Sequence, residues 1–391
     1  MWLAGCGHYV CGTTFGSATC SSTSTNNGGS ITGSVFVYFM DDKSEEMTAE
    51  GVNVQNSQSF ATIPNWTSPP TLSTGTINGG IAIVDQAYLY MPESDGNVYE
   101  YSINSTTAAL TAIAGNPVNL ALPSGVASPI VADPAGKYVF VGTASGIYVL
   151  SVTSGTGALA STNGGLPYGS TGLQPIFMTT DGLGKYLYVL DGSFITAYSY
   201  SSSTGTLTSL ETVASEGMMM LAGEPTGNYL FGSTELDGSG GGAVDNNFYM
   251  FAITPSTGTT PGSLASMTTI STPETPSYVA VSPNLENGND LVYTFNFDAS
   301  TGGAGLEPII EAPFNPSTGT FGTALVQTDF LSNLGMFDPS GNFLIIQGSS
   351  TTQTAAGILA LSVSSTGALT TTLPNAGNPL NVGHMAVTDG K

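Results

Sequence analysis

Two turn motifs that alternate along the chain, a residue inventory suited to strands and turns, and a C-terminus that stops half-way through one motif predict an all-β protein. Together they predict a seven-bladed β-propeller of four-stranded blades, its ring closed by the C-terminal strand joining the N-terminal blade.

Hydrophobic residues make up 40% of the 391 and charged residues only 8%, with 51 Gly and 22 Pro. Gly and Pro set tight turns, and the β-branched and aromatic residues between them fit pleated strands. The length would admit roughly two or three ordinary domains, but closed repeat architectures use this much chain in one unit.

The first motif is an apolar strand, then Asp-Pro-x-Gly-Lys/Asn, then an aromatic-rich strand. It reads VADPAGKYVFV from Val131, TTDGLGKYLYV from Thr179, AGEPTGNYLFG from Ala222 and MFDPSGNFLII from Met336. IVDQAYLYM from Ile83 lacks the Gly, and VSPNLENGNDLVYTF from Val281 carries an insertion. The second motif is Ser-x-x-x-Ser/Thr-x-Gly-x-Leu, as in SVTSGTGAL from Ser151, SYSSSTGTL from Ser199 and SVSSTGAL from Ser362. Each motif joins two strands, so one copy of each defines a four-stranded unit.

Units start near Gly79, Val126, Leu173, Met218, Pro273 and Asn333, a spacing of roughly 45 to 60 residues, as blades require. These are six complete units, and the seventh is split between the ends. The chain ends HMAVTDGK, a first strand and acidic turn without its aromatic strand; GSVFVYFM from Gly33, GVNVQNSQ from Gly51 and SFATI from Ser59 supply the missing strands. Pairing the two ends removes two open sheet edges.

The opening Leu3-Ala4-Gly5-Cys6 resembles a bacterial lipobox, which implies that Cys6 is the acylated first residue of the mature protein. The basic and apolar regions of a signal peptide do not precede it, so the sequence is expected to start late. With Cys6 acylated, Cys11 and Cys20 are expected to pair as a disulfide in an oxidising compartment. The Ser/Thr/Gly/Asn run after Cys20 reads as a polar tether. Residues 1–32 are thus assigned to lipobox remnant, cysteine pair and tether, and 33–391 to a single propeller domain. No run of about eighteen apolar residues occurs, so the anchor is the expected membrane attachment of an exported, periplasmic or cell-surface lipoprotein.

Against 27 Asp plus Glu stand four lysines (Lys43, Lys137, Lys185, Lys391) and no Arg, for a formal charge of -23. Nucleic acid is excluded as a partner, because phosphate binding needs a cationic footprint. Anionic membrane surfaces are disfavoured for the same reason.

The unit Asp-Pro-x-Gly-Lys-Tyr-Val-Phe-Val followed by Ile-Tyr-Val-Leu-Ser-Val-x-x-Ser-x-x-Gly-x-Leu resembles the repeat of the lactonase-type seven-bladed propellers, the 6-phosphogluconolactonase-like family. The resemblance covers residues 30 to 391 and implies the fold more than the activity. It implies His, Arg and carboxylates around the channel mouth, with an inner strand reading Pro-Arg-His. Here the comparable stretch is Val382-Gly383-His384-Met385, so His384 matches and Gly383 replaces the Arg. Without Arg the bidentate phosphate clamp is missing, and a phosphorylated lactone is a poor substrate.

His384 is therefore the candidate catalytic residue. Glu93, Asp95, Asp191, Glu235 and Asp237 fall at strand-connecting loops and are candidate ligands at the channel mouth. Paired carboxylates can do acid/base work or hold calcium, but none has calcium-loop spacing, so no cofactor or metal is expected. Met218-Met219-Met220 reads as core packing. A channel poor in His and Arg predicts a binding or scaffolding module without catalysis, its partner a small molecule, a glycan or an envelope protein. The alternative is a lactonase, a carboxylic ester hydrolase, acting on an uncharged lactone with His384 as general base.

Overall fold

A computed structural model describes residues 34–41, 46–53, 60–62, 80–93, 96–119, 129–169, 173–234, 246–265, 267–273, 275–297, 307–350, 353–371 and 382–389. These residues are almost entirely β, apart from loops and one 3-10 turn at Asn163–Gly165. Cys6, Cys11, Cys20 and the tether lie outside the described residues.

Among the described residues six antiparallel sheets form. Sheet A holds β1 (Ser34–Asp41), β2 (Glu46–Asn53), β3 (Phe60–Thr62) and the C-terminal β29 (Val382–Asp389), in the order β29-β1-β2-β3. The split unit expected from the two chain ends is therefore joined, with Val35 opposite Asp389 and Phe39 opposite Met385. One correction concerns β2, which begins at Glu46 rather than Gly51, because Met47 and Ala49 already face the core.

Sheet B comprises β4 (Ala82–Val84), β5 (Tyr88–Pro92), β6 (Asn97–Ile103) and β7 (Leu110–Ala112), with β8 (Val118–Asn119) added beside β6. Sheet C comprises β9 (Ile130–Ala132), β10 (Tyr138–Thr143), β11 (Gly146–Val152) and β12 (Leu159–Ser161). Sheet D runs through β13 (Phe177–Thr180), β14 (Tyr186–Leu190), β15 (Phe194–Tyr200) and β16 (Leu207–Ala214). Sheet E runs through β17 (Met220–Gly223), β18 (Tyr229–Ser233), β19 (Asn247–Ala252) and β20 (Thr268–Ser271).

Sheet F departs from the expected separate four-stranded units. It has eight strands: β21 (Thr275–Val281), β22 (Asp290–Phe297), β23 (Pro308–Asn315), β24 (Thr320–Phe321), β25 (Leu325–Phe337), β26 (Phe343–Ser350), β27 (Gln353–Val363) and β28 (Leu369–Thr371). The 13-residue β25 joins the two halves. Its first part pairs with β23 and its second, from Phe330, with β26, so an outer strand of one half runs without a break into the inner strand of the next.

The first strands pack around a ring: β29, β4, β9, β13, β17, β21 and β25 each contact the next, and β25 contacts β29. The apolar core lies between neighbouring sheets. Phe36 and Tyr38 of sheet A bury against Ile81, Leu89 and Tyr101 of sheet B, and Phe140 of sheet C packs with Leu187 and Tyr200 of sheet D. No sheet has a core of its own, so each depends on both neighbours.

The pairing of these sheets explains why two motifs alternate. The aromatic strand after an acidic turn carries a tyrosine whose hydroxyl donates to the Ser-Thr-Gly turn of the next unit: Tyr38 to the Ala108 carbonyl (2.7 Å), Tyr90 to Gly157 (2.6 Å), Tyr188 to Gly262 (3.0 Å) and Tyr293 to Gly367 (2.6 Å). Gly157 must be glycine twice over: its φ is +72°, and a Cβ would lie 2.2 Å from the Tyr88 ring. The acidic residue of the first motif closes its own turn. Asp181 accepts the Lys185 and Tyr186 N–H groups at 2.6 and 2.7 Å, and Asp338 accepts the Phe343 N–H at 2.6 Å. Between sheets C and D, Asp133 also accepts the Tyr200 hydroxyl at 2.8 Å.

Candidate functional site

The first strands surround a central channel that encloses about 50 Å³. Met220, Tyr278, Ile83, Val281 and Val387 contribute apolar side chains to its wall, and polar atoms make up nearly half of the exposed lining. Asp338 is the carboxylate on its border, and its oxygens are already engaged by Ser340 and the Phe343 N–H. Strand β13 does not border the cavity, because Gly223 of β17 closes directly on the Thr180 carbonyl.

Strand register sets the level of each candidate. His384 is opposite Met40, two residues beyond Tyr38 on the aromatic strand. The same step from Phe231 and Tyr293 reaches Ser233 and Phe295, whose partners are Met220 and Tyr278. His384 thus occupies the register level of two cavity-lining residues, and the pairing slips by one residue at Gly383, immediately before it.

One residue further along the aromatic strand is a second recurrent level: Asp41, Glu93, Thr143, Asp191, Thr234, Asn296 and Gly348. Two of the loop carboxylates chosen from the sequence belong to it, and the structure brings them to equivalent places in different sheets rather than to one cluster. Glu93, although it follows the end of β5 at a strand-connecting loop, is buried (3% exposed). Asp191 caps its own hairpin, accepting the Ser193 and Phe194 N–H groups at 3.1 and 2.7 Å. Asp95, Glu235 and Asp237 lie outside the described residues. Met218 and Met220 are buried as expected, and Met220 also lines the channel.

Sequence reasoning missed the carboxyls between sheets, of which Glu100 and Glu311 are buried and Glu211 is half-buried. Glu100 accepts the Leu159 N–H at 2.9 Å and Glu211 the Leu264 N–H, each reaching the second motif of the next sheet. Glu311 stands opposite Tyr293 as Glu100 stands opposite Tyr90, but there Gln327 reaches toward Leu369 instead and Glu311 Oε1 is left without a donor. Burial pushes Glu311 up to about 7 and Asp181 up to about 6, the latter against the pull of its backbone hydrogen bonds. The available signal was an acidic residue interrupting an apolar strand pattern. Among the described residues, no three His, Cys, Asp or Glu side chains converge as metal ligands.

No protein-family model and no curated protein sequence matches the chain. Solved structures do. A Lactobacillus plantarum protein superposes with a TM-score of 0.63 at 14% identity, covering 91% of this chain and 99% of its own. The periplasmic gluconolactonase PpgL of Pseudomonas aeruginosa gives 0.59 at 13% identity, covering 90% and 98%. A Bacteroides fragilis protein provisionally assigned as a 6-phosphogluconolactonase gives 0.61 at 12% identity, covering 90% and 98%.

The chain has the β-propeller fold of these proteins. At such identities the likeness is one of fold. The four-stranded sheets correspond to blades of that fold, and the cavity lies among their first strands.

Proposed function

We propose that this chain is a seven-bladed propeller, exported on a lipid anchor, that binds or scaffolds a neutral partner without catalysis. The observation that carries this reading is the absence of a cationic side chain among the described residues that line the channel, in a chain with no Arg and a net charge of -23. A wall of mixed apolar and polar atoms suits a slender uncharged group, and the surrounding negative field disfavours anions such as phosphorylated sugars. Counting the halves of sheet F separately, the ring of first strands supports seven blades. The periplasmic gluconolactonase among the similar folds supports export.

A second reading has one observation in its favour. His384 shares the register level of Met220 and Tyr278 and follows a bulge, and bulges are over-represented beside active sites. On this reading the chain is a lactonase for an uncharged lactone. Purified protein is expected to leave a panel of sugar and aliphatic lactones unhydrolysed. Turnover that disappears in His384→Ala would reverse the order of the two readings.

The anchor has its own test. Mass spectrometry of native protein is expected to find a diacylglyceryl group on Cys6; native soluble protein retaining Met1 would remove the anchor from the proposal.

A further inference from the structure

Most positions of the first motif repeat around the ring, and one does not. The residue three before the tyrosine that bonds to the next unit, or before its equivalent, is Lys137, Lys185, Asn228 and Asn342 in four of the units, all exposed. In the unit with the inserted turn it is Asp290, and it is fully buried. In this unit residues 283–289 precede β22 and form their own turn, with backbone bonds between Glu286 and Asn289.

Across the junction, the N–H of Glu224, the acidic-turn residue of sheet E, bonds to the Tyr229 carbonyl, and the Tyr229 ring stacks on Phe314, the strand partner of Asp290, so two fully buried carboxyls share this seam and lie close enough to interact. The two carboxyls have unequal company. Glu224 accepts the Thr226 N–H at 2.6 Å, the Thr226 hydroxyl at 2.6 Å and the Asn228 N–H at 3.1 Å. Asp290 receives no donor at either oxygen. Two ionised carboxylates are acceptors only, so their contact has no hydrogen unless one of them keeps a proton. Glu224 already accepts three donors and Asp290 has none, so Asp290 is the carboxyl placed to supply the missing hydrogen.

We propose that Asp290 and Glu224 form a carboxylic acid–carboxylate lock between sheet E and sheet F, which holds one proton when closed and loosens when that proton is lost. The other groups packed around Asp290 do not relieve it. Phe314 is its partner on β23, Tyr229 of β18 stacks edge-on against Phe314 at 4.9 Å, and Glu286 starts the inserted turn. Tyr293, further along β22, bonds to Gly367 on the opposite side, where Glu311 also packs. The lysines of the motif, Lys137 and Lys185, belong to the turns of sheets C and D.

Burial, and then the charge of Glu224, push Asp290 up to about 8. An unfolded chain releases the same proton near pH 4. The lock therefore contributes fully below about pH 4, and its contribution declines steadily as pH rises until about 8.

The test compares thermal melts of the full chain and of Asp290→Asn from pH 5 to 9. The asparagine amide donates to Glu224 at every pH, while Asp181 and Glu311 titrate alike in both proteins. The melting temperature of the variant is expected to fall several degrees less than that of wild type, the gap widening to about pH 8 and staying level beyond it. Parallel profiles would overturn the lock. Infrared spectroscopy of wild type, which needs no stable variant, is expected to show a protonated-carboxyl band at pH 7 that titrates away near pH 8 and is missing in Asp290→Asn; its absence from wild type would also overturn the lock. A rise in wild-type melting temperature on adding calcium at pH 9, absent from Asp290→Asn, would replace the proton by a cation.

Discussion

Ending the chain at Gly383 is expected to destabilise the whole ring by several kcal/mol rather than to fray one end. The truncation removes most of β29, whose Met385, Ala386 and Val387 are buried. Met385 and Val387 alone represent about 1.5–3 kcal/mol each of lost apolar burial. The loss does not stop at the strand. β1 would keep β2 on one side and have an open edge on the other, exposing backbone groups from Val35 to Met40. Strand β29 also contacts β4 and β25, so its removal separates sheets B and F from the closing sheet. The measurement is a thermal melt of the truncated chain beside the full chain. A single transition at a much lower midpoint is the expected result, and an unchanged midpoint would mean that closure contributes nothing.

Gly223→Ala should be the most damaging single-methyl addition near the channel. A Cβ at this position would lie 2.2 Å from the Thr180 carbonyl oxygen, and the facing Gly182 makes the reciprocal approach, 2.2 Å from the Pro225 carbonyl. Both obstacles are backbone, so no rotamer change relieves them, and sheets D and E must move apart. Overpacking of this kind costs about 1–3 kcal/mol, with the upper end expected here. Gly217→Ala is the control: its φ is +81° but nothing lies within 4 Å of the added carbon, so only the left-handed backbone is penalised, at roughly 1 kcal/mol. Denaturant midpoints of the two variants should differ accordingly. Equal losses would show that the sheets can part without cost.

The pH response of the whole chain follows from the same buried acids. Asp181, Glu311 and Asp290 titrate near 6, 7 and 8 when folded, above the values of an unfolded chain. The folded state holds protons that the unfolded state has released, so stability falls as pH rises from about 4 to 8, by up to about 1.4 kcal/mol per pH unit for each proton held. At these three groups the usual carboxylate behaviour, with stability gained on ionisation, is reversed.

What the sequence alone determined is local and periodic. Asp-Pro-x-Gly and Ser-Thr-Gly-x-Leu specify turns through fixed φ, positive φ and side-chain caps that act within four or five residues, so the strands, their alternation and the half-unit at each end were legible in VADPAGKYVFV and HMAVTDGK. Only the tertiary structure decided which residues meet. That Tyr90 bonds to Gly157, 67 residues away, that β25 serves two units in succession, and that Asp290 is buried against Glu224 are results of packing between neighbouring sheets. The candidate site divides in the same way. His384 was found by its pattern, but its level beside Met220 and Tyr278 is a matter of register across three strands and their neighbours. Glu93 and Asp191 occupy the same place in the repeat, and one is buried while the other caps its own hairpin, because burial depends on the adjacent sheet and not on the turn that carries the residue.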